Sequence, residues 1–146
     1  MIKQISIERT MCYGECPVYK ATLYASGRVV YDGKYFVAKE GRNEWKITNE
    51  KVEELFKYLI KRGIFKLNDN YTSHELTCQA SCITKIKLKD GTKKTIEHYF
   101  GDSSAPKLLT TIENKIDHLL GTPEYTVFRK PGPKTVTDLL ESNARG

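Results

Sequence analysis

The chain has 146 residues, enough for one domain with its own core and no need of staples. With 39% hydrophobic and 29% charged residues its composition is globular, which excludes a disordered chain. A net charge of +6 and a pI of about 9.1 permit contact with nucleic acid or an anionic surface without demanding it.

No apolar run approaches the length of a membrane span, so none is expected. Met1-Ile2-Lys3-Gln4-Ile5 has no apolar h-region of a signal peptide. The chain as written reads as cytoplasmic, and as secreted if a leader was removed.

Residues 2–9 alternate, with Lys3, Ile5, Ile7 and Arg9 on one side, which predicts a half-buried strand. A turn-like segment with Cys12, Gly14, Cys16 and Pro17 follows. Tyr19 to Tyr24 and Arg28 to Tyr31 then form a hairpin around Ala25-Ser26-Gly27. A three-residue loop pairs Leu23 with Val29 and Ala21 with Tyr31. Asp32-Gly33 is expected to turn the chain again, with further strand at Tyr35 to Lys39 and Asn43 to Ile47.

The first helix is the clearest element. Thr48 is its N-cap, and Val52, Leu55, Phe56, Leu59 and Ile60 form one apolar stripe before Gly63 ends it. Residues 68–77 are polar and loop-like, and they deliver Cys78. A second hairpin, Ile83 to Leu88 and Thr92 to Phe100, turns at Lys89-Asp90-Gly91. The three-residue loop pairs Leu88 with Thr92 and Thr84 with Ile96, and keeps the apolar set on one face. It leaves Lys85, Lys87, Lys89 and Lys93 outside, as the best anion-binding candidates in the chain. A second helix opens at Ser104-Ala105-Pro106, carries Leu108, Leu109, Ile112, Ile116, Leu119 and Leu120, and ends at Gly121.

The expected fold is α+β: a single antiparallel sheet of about five or six strands with two helices packed on one face, a two-layer sandwich. The domain spans residues 1–121. Residues 122–146 read as a C-terminal extension, with a Pro131-Gly132-Pro133 linker and a short helix carrying Val136, Leu139 and Leu140. That extension is the expected arm for a protein partner or self-association.

The stretch Arg9-Thr10-Met11-Cys12-Tyr13-Gly14-Glu15-Cys16-Pro17-Val18-Tyr19 resembles the opening of a prokaryotic domain family of unknown function. That family's pattern is Arg-Thr-x-Cys-Phe/Tyr-Gly-x-Cys-Pro-x-Tyr. The likeness continues through Gly27, Tyr31, Gly33, the first helix, Tyr71 and the second hairpin, over residues 4–120. Members resemble secreted proteins or lipoproteins, which implies a disulfide between Cys12 and Cys16. Cys78 and Cys82 depart from the pattern. The resemblance implies no activity.

The residues themselves leave three readings of the four cysteines. In the first, Cys12, Cys16, Cys78 and Cys82 hold one metal ion, Zn²⁺, as four thiolates from two short loops, with His74 and His98 as substitute ligands. An iron–sulfur cluster fits the same thiolates. In the second, the cysteines form disulfides within or between the pairs. In the third, they are reduced and the first pair is redox-active. No Gly-rich phosphate loop, nucleophile elbow or paired His-x-x-x-His points to hydrolase or transferase chemistry. The sequence therefore reads as a non-enzymatic binding or protein-interaction module, in a larger assembly, stabilised at its cysteines. A basic nucleic-acid-binding protein and a small thiol redox protein are the alternatives.

Overall fold

The computed structural model describes residues 1–127. The expected Pro131-Gly132-Pro133 linker and the helix with Val136, Leu139 and Leu140 lie outside the described residues. The elements run β1 (Ile2–Arg9), β2 (Val18–Tyr24), β3 (Arg28–Tyr35), β4 (Gly41–Lys46) and α1 (Asn49–Lys61). Then come β5 (Asn70–Tyr71), β6 (Ser81–Leu88), β7 (Lys93–Tyr99), α2 (Lys107–Leu120) and the short α3 (Pro123–Thr126).

The fold is α+β, but its sheet is larger than expected and is mixed. Seven strands are ordered β4-β3-β2-β1-β6-β7-β5. The extra strand is β5, two residues inside the segment read as a loop, and it pairs parallel to β7. So short a strand has no periodicity to read. Tyr71 anchors it: the ring is buried, and the hydroxyl accepts from the Asn68 N–H at 3.0 Å.

Both hairpin registers are as expected. Leu23 faces Val29 and Ala21 faces Tyr31 in one, and Thr84 faces Ile96 in the other. Alternation puts Ile5, Ile7, Ala21, Leu23, Val29, Ile86 and Ile96 on one face, where the two long helices cover them. From α1 come Val52, Leu55 and Leu59, and from α2 Leu109, Ile112, Ile116, Leu119 and Leu120. Thr48 caps α1 by accepting from the Lys51 N–H. Gly63 follows in the left-handed conformation, which only glycine enters without strain. Ile60, at the edge of the α1 stripe, is exposed.

The Asp32-Gly33 turn does not form. Strand β3 runs on to Tyr35, and the reversal comes at residues 36–40, before β4 begins at Gly41. Gly33 serves a close approach instead. The Tyr31 ring lies over it, with the hydroxyl donating to the Lys39 carbonyl at 3.0 Å. A Cβ at Gly33 would come within 2.3 Å of that carbonyl oxygen and 2.5 Å of the tyrosine hydroxyl. Gly101 has the same role under Tyr99 at the far side of the sheet.

Residues 122–127, read as extension, pack on the domain. Thr122 is buried, Tyr125 stacks on Trp45 with ring centroids 4.1 Å apart, and the Lys39 N–H donates to the Tyr125 carbonyl at 2.9 Å.

Because the atoms around Gly33 include backbone, a Gly33→Ala variant is expected to lose about 1–3 kcal/mol, the usual cost of overpacking. Gly91→Ala, with open space around it, should cost only about 1 kcal/mol from its left-handed φ. Urea unfolding of the two variants checks the ranking.

Candidate functional site

On the helix-covered face, one row crosses four strands: Tyr19 of β2, Arg9 of β1, Cys82 of β6 and His98 of β7 are register partners in turn. Strand alternation dictates this, since Arg9 shares its side with Ile5 and Ile7. Buried polar groups need partners, and α2 supplies them. Asp117 Oδ2 accepts from Arg9 Nε at 2.9 Å and from Arg9 Nη2 at 2.8 Å. Arg9 Nε also donates to the Tyr19 hydroxyl at 3.1 Å, and Nη2 to Asn114 Oδ1 at 3.3 Å. One helical turn earlier, Glu113 Oε2 lies 2.8 Å from His98 Nδ1, with both side chains buried. Among the described residues Glu113 Oε1 and Thr84 Oγ1 have no hydrogen-bond partner.

Burial, and then the Asp117 charge, pushes the Tyr19 phenol well above its ordinary value. Burial, with the Glu113 charge, pushes the Cys82 thiol well up. Both groups stay protonated at neutral pH. Outside Arg9, between Pro17, Tyr19, Asn114, Pro123 and Val127, opens a groove of about 400 Å³.

Beyond Arg9 the β1–β6 register continues into the cysteine segments. The Thr10 N–H donates to the Ser81 carbonyl at 2.9 Å, and the Ser81 N–H to Thr10 Oγ1 at 2.9 Å. The Tyr13 N–H donates to the Cys78 carbonyl at 3.2 Å. The two cysteine segments are therefore neighbours, but their sulfurs have three different fates. Cys12 and Cys16 are joined as a disulfide, with Cα atoms 5.7 Å apart. Cys78 is a free thiol, exposed, and Cys82 is a free thiol in the core. Sulfurs joined as a disulfide have no thiolate to give a metal. Among the described residues no group of three or more His, Cys, Asp or Glu is gathered as metal ligands. His98 is engaged by Glu113, and His74 stacks on Tyr99 at 4.1 Å.

The loop carrying Cys78 is pinned against the end of β7. The Tyr99 hydroxyl donates to the Leu76 carbonyl at 2.7 Å and accepts from the Gln79 N–H at 3.3 Å. Asp102 Oδ2 accepts from the Ser73 N–H at 3.0 Å.

The candidate lysines lie on the opposite face of the sheet, which no helix covers among the described residues. Lys85 and Lys87 of β6 border a hollow of about 220 Å³ with Gln4 and Ser6 of β1, and Lys20 of β2 closes its far side. Lys93 faces Lys87 across the second hairpin. Lys89 is in the turn and is not part of the hollow. Lys20 was missed because its partner strand could not be assigned before β1 was seen between β2 and β6. Asp117, Glu113 and Asn114 were missed because they flank an apolar helix stripe, where polar residues are usually solvated.

These features define the class: a two-layer α+β domain, closed at one end by a disulfide loop, with an ion pair locking helix to sheet. Residues 3–120 match a domain of unknown function, DUF6438, and the chain belongs to that family. No curated protein matches the chain in sequence.

Arg9→Met would leave Asp117 buried without its cation, at an expected cost of about 3–5 kcal/mol. The double variant Arg9→Met/Asp117→Leu should be the more stable of the two in urea unfolding, since no charge is then stranded. Thiol counting gives a second check. Native protein purified without reductant should take one maleimide label, denatured protein two, and reduced denatured protein four, read by intact mass.

Proposed function

We propose that this domain is a non-enzymatic binding module that holds an anionic partner, the phosphate backbone of a nucleic acid, on the open face of its sheet. The observation that carries the reading is the hollow in that face. Three lysines from two strands, Lys20, Lys85 and Lys87, line it together with Gln4 and Ser6. Ammonium, amide and hydroxyl are the usual donors to phosphate oxygens. Lys93 extends the row, with Thr22 and Thr95 on the same side by alternation.

The opposite face supports the same reading. Its basic side chains already have carboxylate partners: Arg9 holds Asp117, and His98 holds Glu113. Among the described residues the open face presents no row of exposed aromatic rings on which bases could stack. Its recognition would be of the backbone, independent of sequence and strongly dependent on salt.

Fluorescence anisotropy of the full chain with a labelled DNA duplex and a labelled RNA oligonucleotide tests this. Affinity should fall steeply as salt rises, and each lysine contact should contribute roughly one unit to the log–log slope. The variant Lys20→Glu/Lys85→Glu/Lys87→Glu should lose binding while keeping its far-ultraviolet circular dichroism. Absence of binding at low salt, or a triple variant that binds as well as the parent, would sink the reading.

A further inference from the structure

Register and alternation sort the open face into rows that cross the strands from β4 to β7. The row nearest the two hairpin turns holds Lys46, Arg28, Tyr24, Gln4, Lys87 and Lys93, and it contains no carboxylate. Tyr24 and Arg28 continue the β2–β3 ladder past Leu23 and Val29, with the Arg28 guanidinium 5.3 Å from the centre of the Tyr24 ring. The middle row has Lys85 balanced by Glu44. The row nearest the disulfide loop has Arg42 and Lys20 outnumbered by Asp32, Glu8 and Glu97. The open face is therefore graded in charge, basic towards the turns and acidic towards the disulfide. The charges of the basic row are also available. Lys46, Lys87 and Lys93 are exposed and enter no ion pair among the described residues. Arg28 Nε donates to Glu44 at 2.7 Å, but Glu44 is shared with Arg42 at 2.6 Å, so one of the two cations stays uncompensated. Asp90, in the turn beyond Lys87, feels the amino-terminal charge of Met1. Neighbouring strands lie about 4.8 Å apart, so the basic row runs about 24 Å. Each strand is turned about 20–25° from the last, so a row near one end of the strands winds as it crosses the sheet.

We propose that this row is the path of the partner, a single-stranded nucleic acid laid across the strands with its phosphates running from Lys46 to Lys93. The inference rests on the lysine-face reading and narrows it to one class of nucleic acid and one direction. A single strand can bend to follow a winding row. A duplex, with a persistence length of about 150 base pairs, would meet only part of it. The charge gradient fixes the path, because a polyanion shifted towards the disulfide would run into Asp32, Glu8 and Glu97. Lys85, one step in from Lys87 on β6, widens the path on that side. The Tyr24 ring already carries the Arg28 guanidinium, so the row offers contacts to phosphate and sugar, which carry no sequence information.

Salt titrations of the full chain with a labelled oligothymidylate of about 20 nucleotides, longer than the site of one small domain, test this beside the duplex of the same length. The single strand should bind several-fold tighter than the duplex. Lys46→Gln/Lys93→Gln removes the two ends of the row, both outside the hollow. It should lower the log–log salt slope by about 1.4, at roughly 0.7 for each phosphate contact on a single strand. Lys34→Gln/Arg42→Gln removes the same charge at the disulfide end and should leave the slope as it is. All four side chains are exposed, and far-ultraviolet circular dichroism checks that each variant keeps its fold. Equal slopes for the two double variants, or a duplex held as tightly as the single strand, would overturn the proposal. Binding that still needs Lys20, Lys85 and Lys87 would then leave the lysine-face reading standing. No binding to either nucleic acid at low salt, or binding only to phosphatidylserine vesicles, would remove both.

Discussion

The Arg9–Asp117 ion pair is the contact on which the described structure converges. Arg9 is the last residue of the central strand β1, and Asp117 lies in the last turn of α2. One residue, Asp117, joins three elements. Oδ2 takes the guanidinium of β1, Oδ1 takes the Thr122 hydroxyl at the start of α3, and the Asp117 carbonyl takes the Gly121 N–H at 3.0 Å. A buried pair returns in attraction little more than its desolvation costs, so it is weak as a source of stability. Its effect is geometric. It fixes the rotation of α2 about its axis, since Asp117 has to face β1. With Asp117 in place, Glu113 falls one turn back beside His98 of β7, and the apolar stripe of α2 joins Ile7 and Ile96 in one core. An apolar stripe alone would tolerate small rolls of the helix, and two hydrogen-bonded contacts four residues apart do not.

The same end of the domain is closed by aromatic packing. Tyr31 is fully buried between Tyr19, Trp45 and Tyr125, with centroid distances of 5.9, 5.9 and 5.4 Å. Trp45 Nε1 donates to the Leu120 carbonyl at 2.8 Å, which satisfies one of the carbonyls left open where α2 ends. The chain follows one plan twice. Tyr31 folds over Gly33 at the end of one hairpin, and Tyr99 over Gly101 at the end of the other. In each case the tyrosine hydroxyl ties a following or neighbouring loop to the sheet, through the Lys39 carbonyl in the first and the Leu76 carbonyl in the second.

Much of this was legible in the sequence, because the period-2 and period-3.6 patterns that define strands and helices are local. The two long helices, their caps and both hairpin registers follow from residues within a turn or two of one another. What escaped depends on partners far along the chain. Asp32-Gly33 looks like a turn until Tyr31 is seen to need the space above Gly33. Asn70–Tyr71 becomes a strand only because β7 offers it an edge. The family resemblance implied the Cys12–Cys16 disulfide that the structure has, but the residues alone left the cysteines open, and the fates of Cys78 and Cys82 were not readable. Cys82 goes inward by strand alternation, whereas Cys78 lies past the end of β6, where alternation no longer applies. The Arg9 site was half visible: the inward side of β1 ends in a cation, which required an anion from somewhere. Nothing local in α2 distinguished Asp117 and Glu113 from solvated helix residues.

One register then accounts for the two faces and the cysteine end together. β1 and β6 pair so that Ile7 meets Thr84, Ser6 meets Lys85 and Arg9 meets Cys82. That pairing sends Thr84 and Ile86 to the core and Lys85 and Lys87 to the open face, beside Ser6. Continued past Arg9, it sets Thr10 against Ser81 and Tyr13 against Cys78, which brings the free thiol next to the disulfide loop. A slip of one residue would invert every one of these placements at once. It would put two lysines under the helices and carry Cys78 away from Tyr13. The polar row on one face, the lysine hollow on the other and the paired cysteine segments are thus consequences of a single strand pairing.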